Sequence, residues 1–437
     1  MTSLIAALLL CIPLRIFVPS LGVEIAPADI LCLLAVPYLI FFAKYINTWL
    51  LSCILLSILS LLVIQTVYQP GNLDRALFSI AFFFKPYLVF MLGRQQGLTS
   101  FKPEKLNALL IVLLTFTACV ATLDAFIFKG TIATFEEFER VPGEFIYGGV
   151  FAPTFLGLKF HGSNGINGIA VFFAFSFMVL LALGIVLKPP KKLVIVAGIG
   201  MLCCVILVLG SGSRQAVFGM LLSFLCYLTA GKMTVNRIVW LWLAILFGAV
   251  GSTVILVNFS DYFIELTAKS AIMLDNITSG NWDGVSSGRL GLYFILFDDL
   301  MDSPIFGTGF SGYGLFDSHM DYFTHDVSTS GYTPHNQYLG ALWKMGILPG
   351  IFYLAFLWSI TYPHLRAPQV TPMQRRMYIA MASMIIPFFT VFNVFQDGLS
   401  SPSTGPFMLY LLGYYSVWID QVRATPRSET VSVGENH

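Results

Sequence analysis

Two arginines and one histidine stand at the ends of apolar segments, and their chemistry suits an anionic substrate. Arg214 lies in the turn of GSGSRQAVFG, Arg289 lies in SSGRLG, and His335 begins the string HNQYLG. Arginine stays protonated and presents a planar fork of donors that matches phosphate oxygens. Histidine exchanges a proton near neutral pH and can act as a general base towards a hydroxyl. Together the three residues predict a site that holds a phosphate or diphosphate and activates an alcohol.

Each of these residues also has an ordinary structural explanation when it is taken alone. An arginine at a membrane boundary commonly extends towards water as an anchor. A histidine at a helix start is more often a capping or packing residue than a catalyst. The functional interpretation therefore depends on the coincidence of all three at one membrane level.

The elements that must position these residues are membrane spans. Hydrophobic residues make up 57% of the chain, charged residues make up 11%, and the mean hydropathy is +0.80. Apolar runs long enough to cross roughly 30 Å of hydrocarbon recur throughout. We predict an all-α, polytopic integral membrane protein with about twelve transmembrane helices. Their predicted limits are 4–21, 30–45, 49–67, 76–92, 106–128, 168–187, 193–210, 217–229, 238–257, 338–360, 377–395 and 406–419.

Basic residues indicate which loops face the cytoplasm. They gather in every second loop: Lys44; Arg94, Lys102 and Lys105; Lys188, Lys191 and Lys192; Lys232 and Arg237; Arg366, Arg375 and Arg376; and Arg423 and Arg427. The positive-inside rule makes these loops and both termini cytoplasmic. The chain then divides into an N-terminal membrane region (1–257), an outward catalytic loop (258–337), a C-terminal membrane region (338–420) and a cytoplasmic tail (421–437).

The outward loop contains an amphipathic segment. In GRLGLYFILFDDLMDSPIF, apolar residues such as Leu292, Leu296 and Leu300 recur at helical spacing against Asp298 and Asp302. This pattern predicts a helix that lies along the membrane surface.

Other polar residues are candidates for a supporting or metal-binding role. Arg15 and Lys85 lie within spans, where ionisable residues are functional candidates by default. Asp317, His319, Asp321, His325 and Asp326 carry metal-binding side chains, but their spacing fits no established loop. We therefore predict no metal and no other cofactor.

The sequence also argues against disulfides in the outward loops and against a nucleic-acid partner. All seven cysteines fall within predicted spans, so no disulfide is expected in the outward loops. The chain has no clustered basic and aromatic surface, so no nucleic-acid partner is predicted.

The three blocks between residues 210 and 350 resemble the O-antigen ligase and O-antigen polymerase superfamily of bacterial envelope glycosyltransferases. The strings that carry this resemblance are GSGSRQAVFG, SSGRLGLYFILFDDLMDSPIFGTGFSGYG and HNQYLGALWKMG, in that order. The resemblance implies about a dozen spans in the bacterial inner membrane, an outward catalytic loop, and inverting, metal-independent transfer of a polyprenyl-diphosphate-linked (undecaprenyl diphosphate) oligosaccharide to a sugar hydroxyl.

The resemblance also implies roles for individual residues and for partners. Arg214 and Arg289 would bind the donor diphosphate, and His335 would act as base or orient the acceptor, with Asn336 beside it in a supporting role. Expected partners are the lipid-linked oligosaccharide, a glycan acceptor, membrane lipid and a chain-length co-polymerase.

Three alternatives remain open at this point. Ligases of the family tend to have Leu at the position of Phe218 and Gly, Thr or Tyr at that of Pro349, which favours a polymerase of O-antigen or exopolysaccharide repeats. A ligase acting on lipid A-core is the second alternative. The third, a transporter or flippase of lipid-linked sugar, would use Arg15 and Lys85 and bind its cargo at mid-membrane.

Overall fold

Helices make up nearly all of the part of the chain that the structure describes. The computed structural model describes residues 2–13, 16–18, 23–25, 27–33, 48–67, 73–127, 154–155, 158–159, 165–211, 213–229, 275–281, 289–307, 336–367, 371–395, 399 and 404–424. Within these residues the fold is helical, as the composition predicts, apart from two small hairpins.

The described residues up to 229 form eight helices, numbered in chain order. They are α1 (Thr2–Cys11), α2 (27–33), α3 (Thr48–Val67), α4 (Leu73–Thr99), α5 (Pro103–Ile127), α6 (Gly165–Leu180), α7 (Lys191–Ser211) and α8 (Arg214–Thr229). Strand β1 (Ile16–Val18) pairs antiparallel with β2 (Val23–Ile25), and β3 (Thr154–Phe155) pairs antiparallel with β4 (Leu158–Lys159).

Five longer helices and one isolated helical turn follow in the described residues. The helices are α9 (Arg289–Asp302), α10 (Gln337–Met345), α11 (Ile347–Leu365), α12 (Pro372–Pro387) and α13 (Thr404–Ala424), and the turn lies at 275–278. Two π-helical segments continue earlier helices: π1 (Leu181–Val186) extends α6, and π2 (Phe388–Phe392) extends α12.

Several of these helices have the length and composition of membrane spans. Three in the described residues are long and apolar enough to cross a membrane, namely Pro103–Leu123, Lys191–Leu209 and Pro372–Phe392. Shorter apolar stretches are Thr48–Leu59, Ala170–Val186 and Arg214–Thr229. All six coincide with predicted spans. The total of about twelve stays a prediction, and the predicted run 238–257 lies outside the described residues.

The core is formed around helices that are buried on every side. In α13 all residues from 404 to 417 are buried, and most of α6 is buried as well. A helix that is apolar all round must be covered by its neighbours. Helices α4 and α13 approach closely, so that a side chain at Gly93 would collide with the carbonyl of Tyr410. Small residues permit such close packing of helices in membranes.

The first predicted span is shorter in the structure than in the sequence analysis. The run 4–21 was expected to be one helix, but α1 ends at Cys11 and β1 begins at Ile16. Pro13 explains the end, because a proline disfavours the α conformation of the residue before it. The β-branched and aromatic residues that follow favour an extended strand.

The predicted span 338–360 is interrupted at Gly346. Helix α10 ends at Met345 and α11 begins at Ile347, while Gly346 itself has φ +82°. Glycine adopts this left-handed conformation without steric cost. A side chain there would also collide with the carbonyl of Ile305. The prediction of one continuous helix is therefore wrong at this residue, since apolar composition does not report a local change of backbone conformation.

Candidate active site at three helix starts

Arg214 and Arg289 are each the first residue of a helix. Arg214 is exposed and opens α8, and Arg289 opens α9. The first N–H groups of a helix lack partners within it, and the aligned peptide dipoles give this end a partial positive charge. An arginine placed there adds to the positive potential, which is favourable when an anion binds. Both positions are thus suited to a phosphate or diphosphate group.

Helix α9 is attached to the protein by one face. Leu296 and Trp343 form a small buried cluster with Tyr293 and Leu339 packed against it, so α9 lies on α10. At 3.6 residues per turn, position 289 lies on the same face of α9 as Tyr293 and Leu296. The predicted helix is confirmed, and its position along the membrane surface stays a prediction. Its attachment to α10 orients the end that begins at Arg289.

The C-terminal end of α9 is also fixed to the protein, through the residues that follow it. After α9 the chain passes Pro304, whose carbonyl accepts a hydrogen bond from the Ile347 N–H (2.8 Å). Gly307 and Gly346 meet so closely that a side chain at Gly307 would collide with the backbone of Gly346. The chain break between α10 and α11 is therefore the docking point for the end of α9.

His335 lies outside the described residues, and its neighbours define the start of α10. Asn336 is the N-cap, and its side-chain oxygen accepts hydrogen bonds from the N–H groups of Tyr338 (3.1 Å) and Leu339 (3.0 Å). Asn336 is thus engaged with the backbone of its own helix. This capping role is the ordinary alternative to the supporting catalytic role expected from the sequence.

Gln337 joins the start of α10 to the core. It is 2% exposed, and its Nε2 donates to the Tyr353 hydroxyl of α11 (3.0 Å). The Tyr87 hydroxyl of α4 donates to the same oxygen (2.5 Å). The Gln337 backbone N–H donates to the carbonyl of Asn393 (2.8 Å). Because protein atoms accept hydrogen bonds from the first N–H groups of α10, these groups fix the start of the helix to the protein. They are not available to bind an anion.

Helices α8, α9 and α10 all contact the same segment, Phe388–Phe395, at the end of α12. The Tyr338 hydroxyl of α10 donates to the carbonyl of Phe389 (2.6 Å), and the Tyr293 hydroxyl of α9 lies 3.4 Å from the carbonyl of Val394. On the α8 side, Gly219 lies against the ring of Phe392 so closely that a side chain there would collide with it. Gly219 is five residues after Arg214, about 7.5 Å along the helix.

The remaining candidates from the sequence lie elsewhere or outside the described residues. Lys85 of α4 forms a largely buried ion pair with Asp29 of α2, and its backbone carbonyl faces the Cys32 thiol. This is the partner that the sequence analysis did not identify. Arg15 and the acidic and histidine cluster at 317–326 lie outside the described residues.

Sequence reasoning missed the residues that connect the three helix starts. Tyr338 and Gln337 stand inside the quoted string HNQYLGALWKMG, and only their proximity to His335 could have drawn attention to them. Asn393 is a fully buried amide in an apolar run, PFFTVFN, and a polar residue in a span was an available signal. Nothing in the spacing of a single sequence marks a π-helical turn.

Comparison with known protein families bears on the same blocks. Residues 199–355 match the family described as O-antigen ligase, and Arg214, Arg289 and His335 all fall inside this range. No curated protein matches the chain. Residues 199–355 are therefore an O-antigen ligase family domain, which supports the assignment of this chain to the O-antigen ligase and polymerase superfamily.

Proposed function

We propose that this chain is a membrane glycosyltransferase of the bacterial inner membrane that polymerises lipid-linked O-antigen or exopolysaccharide repeats. Its donor is an oligosaccharide on polyprenyl diphosphate, and its acceptor is a sugar hydroxyl at the periplasmic face. The observation that carries the proposal is the convergence of the helices beginning at Arg214, Arg289 and Gln337 on the segment Phe388–Phe395.

The proposed reaction uses each helix start for a different task. The arginine forks and the positive helix starts of α8 and α9 bind the donor diphosphate and stabilise the charge that it gains on leaving. His335 removes the proton from the acceptor hydroxyl, and the acceptor oxygen bonds to the anomeric carbon as the bond to the diphosphate breaks. Attack from the opposite side inverts the anomeric centre. The step needs no metal, because the arginines and helix ends supply the positive charge.

A ligase that transfers the glycan to lipid A-core is the second candidate, and the name of the matching family, O-antigen ligase, favours it. The structure assigns neither Phe218 nor Pro349 a contact that favours a polymerase. Phe218 is 53% exposed on α8, and the carbonyl of Pro349 accepts a hydrogen bond from the Cys53 thiol. The two activities share the donor and the proposed site, so only the acceptor separates them.

A transporter of lipid-linked sugar receives less support. Such a protein would be expected to bind cargo at charged residues within spans, but Lys85 is paired with Asp29. The three polar helix starts would also have no task in transport.

Analysis of the glycolipids that accumulate after deletion of the gene tests these proposals. A polymerase predicts single repeats on polyprenyl diphosphate at the periplasmic face. Full-length chains on polyprenyl diphosphate would instead identify a ligase. Accumulation of the donor on the cytoplasmic face only would contradict both enzymes and favour transport.

A further inference from the structure

The π2 segment changes which carbonyl groups at the end of α12 are available. The Asn393 N–H donates to the carbonyl of Phe388 (3.1 Å), a bond that spans five residues rather than four. In a continuous α-helix the same N–H would pair with the carbonyl of Phe389. The shift leaves the Phe389 carbonyl to accept the Tyr338 hydroxyl (2.6 Å). The π turn thus creates the acceptor that ties α10 to α12.

The residues after π2 supply further acceptors because the last carbonyls of a helix lack partners within it. The Asn393 carbonyl binds the Gln337 N–H, and the Val394 carbonyl faces the Tyr293 hydroxyl. The Asn393 side chain fixes this geometry, since its Oδ1 accepts the N–H of Leu399 (2.9 Å) and the residue is fully buried. Two neighbouring carbonyls therefore hold two different helices.

Each of these tyrosines stands three or four residues after a proposed site residue in the sequence. Tyr338 is three residues after His335, and Tyr293 is four residues after Arg289, about 6 Å along α9. Displacing a catalytic group by about 1 Å can cost on the order of 100-fold in rate. A small rotation of α9 would therefore displace its first residue, Arg289, and a small rotation of α10 would displace Asn336, the residue that follows His335 in the chain.

We propose that the segment Phe388–Phe395 is a positioning element for the transfer reaction, with Tyr338 as the positioning residue for His335 and Tyr293 as that for Arg289. This inference rests on the proposed function. It assigns the two tyrosine hydroxyls separate effects: Tyr338 acts on the chemical step through the histidine, whereas Tyr293 acts on donor binding through the arginine.

The test compares three substitutions that each remove one hydroxyl. Tyr338→Phe is expected to lower kcat roughly 10-fold or more while the dissociation constant for undecaprenyl diphosphate stays within about twofold. Tyr293→Phe is expected to weaken binding of undecaprenyl diphosphate by roughly two- to tenfold with a smaller change in kcat. The matched control is Tyr410→Phe, which removes a hydroxyl bonded to Gln96 Oε1 over the same 2.6 Å between α13 and α4, outside the proposed site.

The measurements use the purified full chain in lipid vesicles, with transfer kinetics, undecaprenyl diphosphate binding and thermal unfolding followed for each variant. Tyr338→Phe and Tyr410→Phe should lower the unfolding temperature alike, and only Tyr338→Phe should lose kcat. Wild-type kcat in Tyr338→Phe, or an equal loss in Tyr410→Phe, would overturn the positioning role. His335→Ala separates failure of the positioning role from failure of the proposed function. Full transfer by His335→Ala would show that His335 is not the general base.

Deletion of Thr390 gives a second, independent test of the π turn. Thr390 is an exposed residue of π2, so its removal shortens the turn to α-helical register without emptying the core. The Asn393 N–H then keeps the Phe388 carbonyl as an ordinary α-helical partner, and the Phe389 carbonyl gains the Val394 N–H as a competitor of the Tyr338 hydroxyl. The deletion variant should remain folded and lose transfer, while its binding of undecaprenyl diphosphate stays close to that of the wild type. A folded deletion variant with wild-type turnover would show that the π geometry does not position the site.

Discussion

At the scale of single residues, the proposed binding of the donor diphosphate depends on the shape of the guanidinium group as well as on its charge. Lysine keeps the charge of Arg214 or Arg289 but loses the two-pronged hydrogen bonding to phosphate oxygens. We expect Arg214→Lys and Arg289→Lys each to reduce transfer by roughly 10- to 100-fold, mainly through weaker donor binding. Arg375→Lys is the control, because Arg375 is exposed and lies near the start of α12, away from Phe388–Phe395. Wild-type transfer by Arg289→Lys would show that the guanidinium fork is not needed and that Arg289 is only an interfacial anchor.

The Lys85–Asp29 pair gives a prediction about stability. Removing one partner of a buried ion pair leaves an uncompensated charge and typically costs about 3–5 kcal/mol. Asp29→Asn should therefore lower the unfolding temperature more than the double substitution Asp29→Asn with Lys85→Met, which removes the charge as well. Thermal unfolding in detergent measures both. An equal loss in the two variants would mean that the pair contributes through packing and not through charge.

The residues of the site could be predicted from the sequence only where their chemistry is distinctive. Arg214, Arg289 and His335 stand out because charged side chains are rare among apolar runs. The partner of Lys85 could not be inferred, since Asp29 is 56 positions away in the chain and only the fold joins them. Tyr293 and Tyr338, which link α9 and α10 to the segment Phe388–Phe395, could not be predicted either. Tyrosine is common in apolar segments, and the partners of these two hydroxyls are backbone carbonyls.

At the scale of elements, most helices follow from apolar composition and their interruptions do not. The limits of α5, α7 and α13 lie within a few residues of the predicted spans on most ends. The break at Gly346 and the π turn at Phe388–Phe392 arise from packing between elements: Gly346 must accommodate Ile305, and π2 faces α8 and α10. The π turn contacts the helices of the proposed site, whereas the break at Gly346 lies at the far end of α10, where the end of α9 docks. In both places the packing of neighbouring elements outweighs the preference for regular helix.

The exposed apolar face of α9 leads to a prediction about where this helix lies relative to the membrane. Its buried face, with Leu296 and Leu300, packs on the protein, while Phe294, Phe297 and Met301 are 64%, 51% and 47% exposed on another face. We expect that exposed face to lie in the membrane interface. A polarity-sensitive fluorophore attached to Phe297→Cys should emit at shorter wavelength in vesicles than the same fluorophore on Asp302→Cys. Equal, water-like emission from both positions would place α9 away from the bilayer.

At the scale of the whole molecule, the proposed chemistry requires the helix starts at Arg214, Arg289 and Gln337 to face the periplasm. The alternating basic loops predict this orientation. An impermeant thiol reagent applied to intact cells should label Ser286→Cys or Thr329→Cys and miss Pro190→Cys and Pro372→Cys. Cys-free background protein is the control, because the chain has seven native cysteines. Labelling of the second pair in place of the first would reverse the orientation and move the site to the cytoplasm.

The central claim is that His335 drives glycosyl transfer from a lipid diphosphate that the arginines bind. Its most direct test is transfer in vesicles containing the purified protein, the polyprenyl-diphosphate-linked donor and EDTA, with donor affinity measured separately. Wild-type protein should remain active in EDTA. His335→Ala should lose about 10²- to 10⁴-fold in rate, the usual contribution of a general base, and keep its donor affinity. Undiminished transfer by His335→Ala, or loss of all wild-type activity in EDTA, would contradict the account.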